Sequence, residues 1–210
     1  MSATKLRNER EEAFERSQKL EQAWFKELEE SEGAQRFLNA DQNYPELIGQ
    51  KANLYKCFLP QAWKWSNCNG FVGYIHPEGV YDDPNGGKLR GEIYKRLCFH
   101  FQFRNEEGLF PIGNTRKFSI NVTGPSKEFI RFENISNLFL PKAIDRCFED
   151  QVSDNVMGVR DKDNKWNNVG HPDRKFSVDS EALEVFSALY EAGEVPVSYT
   201  HLRAHETRPN

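Results

Sequence analysis

The stretch FVGYIHPEGVYDDPNGGKLR, residues 71–90, decides the fold that the sequence predicts. Its first residues are a short apolar run that ends at Pro77, which is typical of a strand. A loop rich in Asp, Pro and Gly follows, and a helix is predicted at about 88–97. Strand, loop and helix in this order indicate an α/β unit.

The segments downstream continue this alternation. CFHFQF (98–103) alternates as a strand, EEGLFPIGNTR (106–116) is a loop, and KFSINV (117–122) is another strand. We therefore predict half of a doubly wound α/β sheet. Beyond residue 125 the pattern loosens to a short helix after Pro141, a polar loop, and a helix capped by Asp179 or Ser180.

Two helices are predicted upstream. Residues 4–31 form a charged helix with a thin apolar stripe, which suits a helix lying on a larger body. ANLYKCFLPQAW (52–63) begins the second, although Pro60 should kink or delay it. One face of this second helix gathers Leu54, Phe58, Ala62 and Trp65. Periodicity leaves open whether that face is buried in the core or forms the wall of a site.

Charge is unevenly distributed along the chain. The net charge of −4 argues against a nucleic-acid binder, but residues 88–117 hold seven Lys and Arg against three Glu. Such a positive face can meet phosphates; a normally mixed surface is the alternative.

Other composition features indicate a cytoplasmic protein. No apolar stretch approaches the roughly 18 residues that span a bilayer, and the charged N-terminus is no signal peptide. The four cysteines show no metal-ligand spacing, so we expect reduced, buried thiols. Residues 196–207, PVSYTHLRAHET, resemble a translated sequencing adapter. We therefore treat 196–210 as an artefactual tail.

One cluster of polar residues permits two interpretations. His76, Glu78, Asp82 and Asp83 follow the predicted strand, where α/β proteins place ligands. They can form a metal-dependent hydrolytic site or serve as ordinary turn residues. Gly86-Gly87-Lys88 lacks the pattern of a phosphate-binding loop.

Four longer blocks carry a resemblance to a known family: NYPELIGQKANLYKCFLPQAW (43–63), GFVGYIHPEGVYDDPNGGKLR (70–90), HFQFRNEEGLF…KFSINVTGP (100–125) and FENISNLFLPKAIDRCF (132–148). They resemble the second half of the catalytic domain of adenine-specific DNA N6-methyltransferases. The nearest likeness is to enzymes of restriction–modification and BREX-type phage-defence systems. The resemblance implies a partial Rossmann-like methyltransferase sheet, preceded by a long helix and followed by an irregular segment of helix and loop.

The resemblance also implies an organisation into four parts. These are a charged helical segment (1–38), the second half of the catalytic core (39–125), a connector toward a missing target-recognition region (126–195), and the tail (196–210).

Enzymes of this family transfer methyl from S-adenosylmethionine to an adenine flipped out of double-stranded DNA, and the transfer requires no metal. By resemblance, Phe58 packs on the adenine ring of the cofactor and Phe110 stacks on the flipped base. The cations assigned to DNA phosphates are Lys88, Arg90, Arg116 and Lys117. The partners implied are double-stranded DNA and other subunits of a defence system, with no membrane.

The sequence departs from the family at the catalytic loop. No Asn/Asp-Pro-Pro-Tyr/Phe motif occurs in the chain, and the strand and loop that hold the methionine and ribose are missing as well. We therefore expect the chain to be inactive alone. The alternatives are a non-catalytic DNA-binding or interaction module with a methyltransferase-like fold, and the metal-dependent hydrolase.

Overall fold

The computed structural model describes residues 2–51, 53–150, 160, 161 and 163–190. Within these residues the chain is a mixed α/β protein with seven α-helices and one five-stranded sheet. No helix in this part of the chain is long and apolar enough to cross a membrane. The predicted tail, 196–210, lies outside the described residues.

The charged N-terminal segment forms two helices rather than the one predicted. Helix α1 spans Ala3–Arg16 and helix α2 spans Gln18–Asn39. Ser17 separates them because its hydroxyl accepts a hydrogen bond from the Leu20 backbone N–H at 3.3 Å, the bond expected of a helix N-cap. Neither helix buries a residue completely. The pair therefore lies at the periphery, as the thin apolar stripe predicted.

Helix α3 spans Leu54–Trp65 and continues through Pro60, so the predicted delay does not occur. The side chains that it buries are Lys56, Cys57 and Leu59. The apolar face predicted from periodicity is instead exposed, with Phe58 61% and Trp65 78% accessible to solvent. The core interpretation of this face is therefore wrong.

The stretch that opened the sequence analysis forms the predicted unit. Strand β1 (Val72–Pro77) is followed by the short helix α4 (Gly79–Asp82) and by helix α5 (Gly87–Arg96). Strands β2 (Leu97–Arg104) and β3 (Lys117–Thr123) come next. Because β3 pairs antiparallel with both β1 and β2, these two strands run parallel to each other with β3 between them.

The same sheet continues beyond residue 125, where only helices and loops were predicted. Strand β4 (Arg131–Leu138) runs parallel to β2, and strand β5 (Lys175–Asp179) runs antiparallel to β4. The order is β1-β3-β2-β4-β5. Residues 126–195 therefore supply two strands of the sheet in addition to a connection. The predicted helices are present as α6 (Lys142–Cys147) and α7 (Ser180–Tyr190).

The reason for missing β4 is visible in its spacing. Its buried apolar residues, Phe132, Ile135 and Leu138, are three positions apart, which is a helical rather than a strand period. The register with β2 shifts between the pairs Phe101–Ile135 and Phe103–Leu138. This irregularity lets the third apolar side chain return to the core.

Two clusters of buried apolar side chains form the core. One joins α3, α4, α5 and α7 to the sheet, and the other joins α6 to it. Of the cysteines, Cys57 and Cys147 are buried as expected, whereas Cys68 is exposed and Cys98 is half-buried. The prediction of buried thiols thus holds for two of the four cysteines.

We predict that Ile135→Ala lowers the free energy of unfolding by about 2–5 kcal/mol, because it opens a cavity under a central strand. Urea denaturation measures the change. The control is Ile112→Ala, at a half-exposed position, which we expect to stay within about 0.5 kcal/mol of the wild type. Equal costs for the two variants would contradict the placement of β4 in the core.

Candidate functional site

The parallel strands β1, β2 and β4 end at one edge of the sheet, which we call the carboxyl edge. Pro77, Arg104 and Leu138 are the last residues of these strands. The antiparallel strand β3 starts there, with Lys117 paired to Arg104. Because α/β proteins bind ligands at this edge, it is the natural place for a site.

Eight polar side chains meet near the carboxyl edge and form what we call the polar network. They come from β1 to β4, from the turn after β1 and from the short helix α4: His76, Glu78, Tyr81, His100, Gln102, Ser119, Asn121 and Asn134. All are buried. A buried polar group is costly unless it is hydrogen-bonded, so these residues fix one another's positions.

The first half of the network is an ion pair between Glu78 and His100. Glu78 Oε1 lies 3.3 Å from His100 Nε2, and the other ring nitrogen lies 2.6 Å from Asn134 Oδ1. Gln102 donates to Glu78 Oε2 at 2.8 Å. Burial alone would raise the pKa of Glu78, but the His100 charge and the bonds from His100, Ser119 and Gln102 lower it. Burial would lower the pKa of His100, but the charge and hydrogen bond of Glu78 raise it.

The second half of the network centres on Asn121. Its Oδ1 accepts from the Tyr81 hydroxyl at 2.7 Å, and its Nδ2 donates to Ser119 Oγ at 2.8 Å. The same amide lies 3.0 Å from His76 Nε2, and His76 Nδ1 lies 2.9 Å from the Pro77 carbonyl. These bonds assign His76 a neutral ring with its proton on Nδ1, in agreement with a pKa that burial lowers.

The arrangement does not support the hydrolase alternative. Among the described residues, no group of three or more His, Cys, Asp or Glu side chains is placed to hold a metal ion. Both ring nitrogens of His76 are engaged, and Glu78 pairs with His100. Asp83 binds Lys56 Nζ at 2.5 Å.

Phe58 borders an open groove of about 250 Å³ between α3 and β1. The groove is lined mainly by apolar and aromatic side chains, among them Tyr55, Trp65 and Ile75. The Tyr55 ring stacks on His76 with the ring centroids 5.8 Å apart, which connects the groove to the polar network. β1 is the last strand of the described sheet on this side, so the groove opens at a free strand edge.

Phe110 lies in the loop after β2 and is 38% exposed. Its ring packs edge-on against Phe118, with the centroids 4.9 Å apart. The buried Asn105 fixes its backbone: Asn105 Oδ1 accepts from the Phe110 N–H at 3.0 Å, and Nδ2 donates to the Phe110 and Ile112 carbonyls at 2.9 Å each. A partly exposed aromatic ring is therefore held rigidly at the carboxyl edge.

The four predicted phosphate contacts do not behave alike. Lys88 and Arg116 are exposed and Lys117 is half-buried. Arg90 is only 2% exposed and donates to the backbone carbonyls of Val80 and Asp83. Its guanidinium joins α4 to α5, so the prediction that Arg90 contacts DNA is wrong.

Several residues of the site escaped the sequence prediction. The polar residues His100 and Gln102 alternate along β2, and Ser119 and Asn121 alternate along β3, which places all four on one face of the sheet. This period of two was a usable signal. The role of Asn105 had no signal in the sequence, because it depends on how its loop folds.

No family model matches the sequence, and no curated protein is significantly similar to it.

The ion pair predicts how stability depends on pH. The lowered pKa of Glu78 gives a contribution that is lost as the pH falls through the folded value. The raised pKa of His100 gives a contribution that is complete below its ordinary pKa and is lost as the pH rises through the folded value. The ion pair therefore stabilises the fold most at pH values between the folded-state pKa of Glu78 and that of His100.

We expect Glu78→Gln to flatten the decline of melting temperature above the ordinary His range, because the charge that raises the His100 pKa is gone. The variant should also lose about 1–3 kcal/mol of stability at neutral pH. Melting temperatures from about pH 5 to about pH 9 measure both effects. The control Glu128→Gln alters an exposed carboxylate and should leave the profile unchanged. The same alkaline decline in Glu78→Gln would refute the pairing.

Proposed function

We propose that this chain is the C-terminal part of the catalytic domain of an adenine-specific DNA N6-methyltransferase. The observation that carries the proposal is the open apolar surface around Phe58, at the free edge of β1. A soluble sheet normally protects such an edge. In a half-domain, the strands that would cover this edge belong to another part of the protein, so the edge of β1 stays open.

The unit β1–α5–β2 supports the proposal. Its two strands are parallel and joined through a helix, which is the repeating unit of doubly wound, Rossmann-like sheets. The mixed pairing of β3, β4 and β5 does not conflict with this assignment, because large α/β sheets often carry antiparallel strands.

The Phe58 groove suits the adenine end of S-adenosylmethionine. The aromatic rings of Phe58 and Tyr55 and the side chain of Ile75 can pack on a flat purine, whereas the groups that hold ribose and methionine are expected on the absent strands. The cofactor supplies a methyl group on a sulfonium, which the amine of the flipped adenine attacks. In this proposal the residues of this chain bind and orient the cofactor and the adenine, and none of them transfers a proton.

Phe110 suits the flipped adenine. Base–aromatic stacking is worth about 1–3 kcal/mol, which offsets part of the few kcal/mol that base flipping costs. The hydrogen bonds between Asn105 and the backbone of Phe110 and Ile112 fix the loop that carries the ring before the base arrives. The exposed cations Lys88 and Arg116 are then available for the phosphates of double-stranded DNA.

A non-catalytic module that binds DNA or a protein is the second candidate. The missing Asn/Asp-Pro-Pro-Tyr/Phe motif favours it, and the open groove would then receive a partner protein. Under either candidate we place the protein in the cytoplasm with DNA and other defence-system subunits as partners.

We expect the purified chain to transfer no methyl group from labelled S-adenosylmethionine to double-stranded DNA, because its sequence lacks the Asn/Asp-Pro-Pro-Tyr/Phe motif that activates the adenine amine. Joining the chain to the polypeptide encoded directly upstream at its locus should restore transfer. Transfer by the chain alone would contradict its assignment as a partial domain. An upstream reading frame without an Asn/Asp-Pro-Pro-Tyr/Phe motif would favour the non-catalytic module.

In the joined enzyme, Phe110→Ala should weaken base flipping about tenfold through the loss of stacking. The fluorescence of 2-aminopurine at the target position reports the flipped fraction. The matched control is Phe129→Ala, which removes another exposed phenylalanine and should change nothing. Equal 2-aminopurine fluorescence in the wild type and in Phe110→Ala would exclude the stacking role.

A further inference from the structure

We draw no further inference here: the strongest candidate, the free edge of strand β1 beside the exposed rings of Phe58 and Trp65, belongs to the site already described, and nothing in the described part of the chain shows what else covers it.

Discussion

The ion pair between Glu78 and His100 is the constraint on which the rest of the structure depends. A buried carboxylate is tolerable only when charge and hydrogen bonds compensate it, and here the compensation comes from two strands, β2 and β3. Through His100 the pair reaches Asn134 of β4, and through Ser119 it reaches β3. The ion pair thereby links the turn after β1 to strands β2, β3 and β4.

Polar side chains also lie beside both aromatic candidates. Asn105 fixes the backbone of the Phe110 loop through three hydrogen bonds, two with Phe110 and one with Ile112. On the other side, His76 stacks on Tyr55, which lines the groove of Phe58. Hydrogen bonds are directional, so those of Asn105 fix the backbone conformation of the loop that carries the Phe110 ring.

How well the sequence predicts each part of the structure depends on how far apart along the chain the interacting residues lie. Strands β1, β2 and β3 were found because their pattern is local. Strand β4 was missed because its irregular register with β2 changes the apolar spacing, and that register is a property of two strands. At the site, the aromatic positions came from resemblance. The ion pair of Glu78 with His100 was not predicted, because the two residues are 22 positions apart and only the crossover through α5 brings them together.

The free edge of β1 has a consequence for how the chain behaves in solution. From Val72 to His76 the strand carries no Lys, Asp or Glu, the charged residues by which natural sheets discourage edge-to-edge pairing. An uncharged edge beside exposed aromatic rings is a template for other strands, including those of incompletely folded copies. An exposed edge of this kind also favours recognition by chaperones and loss of the chain through aggregation.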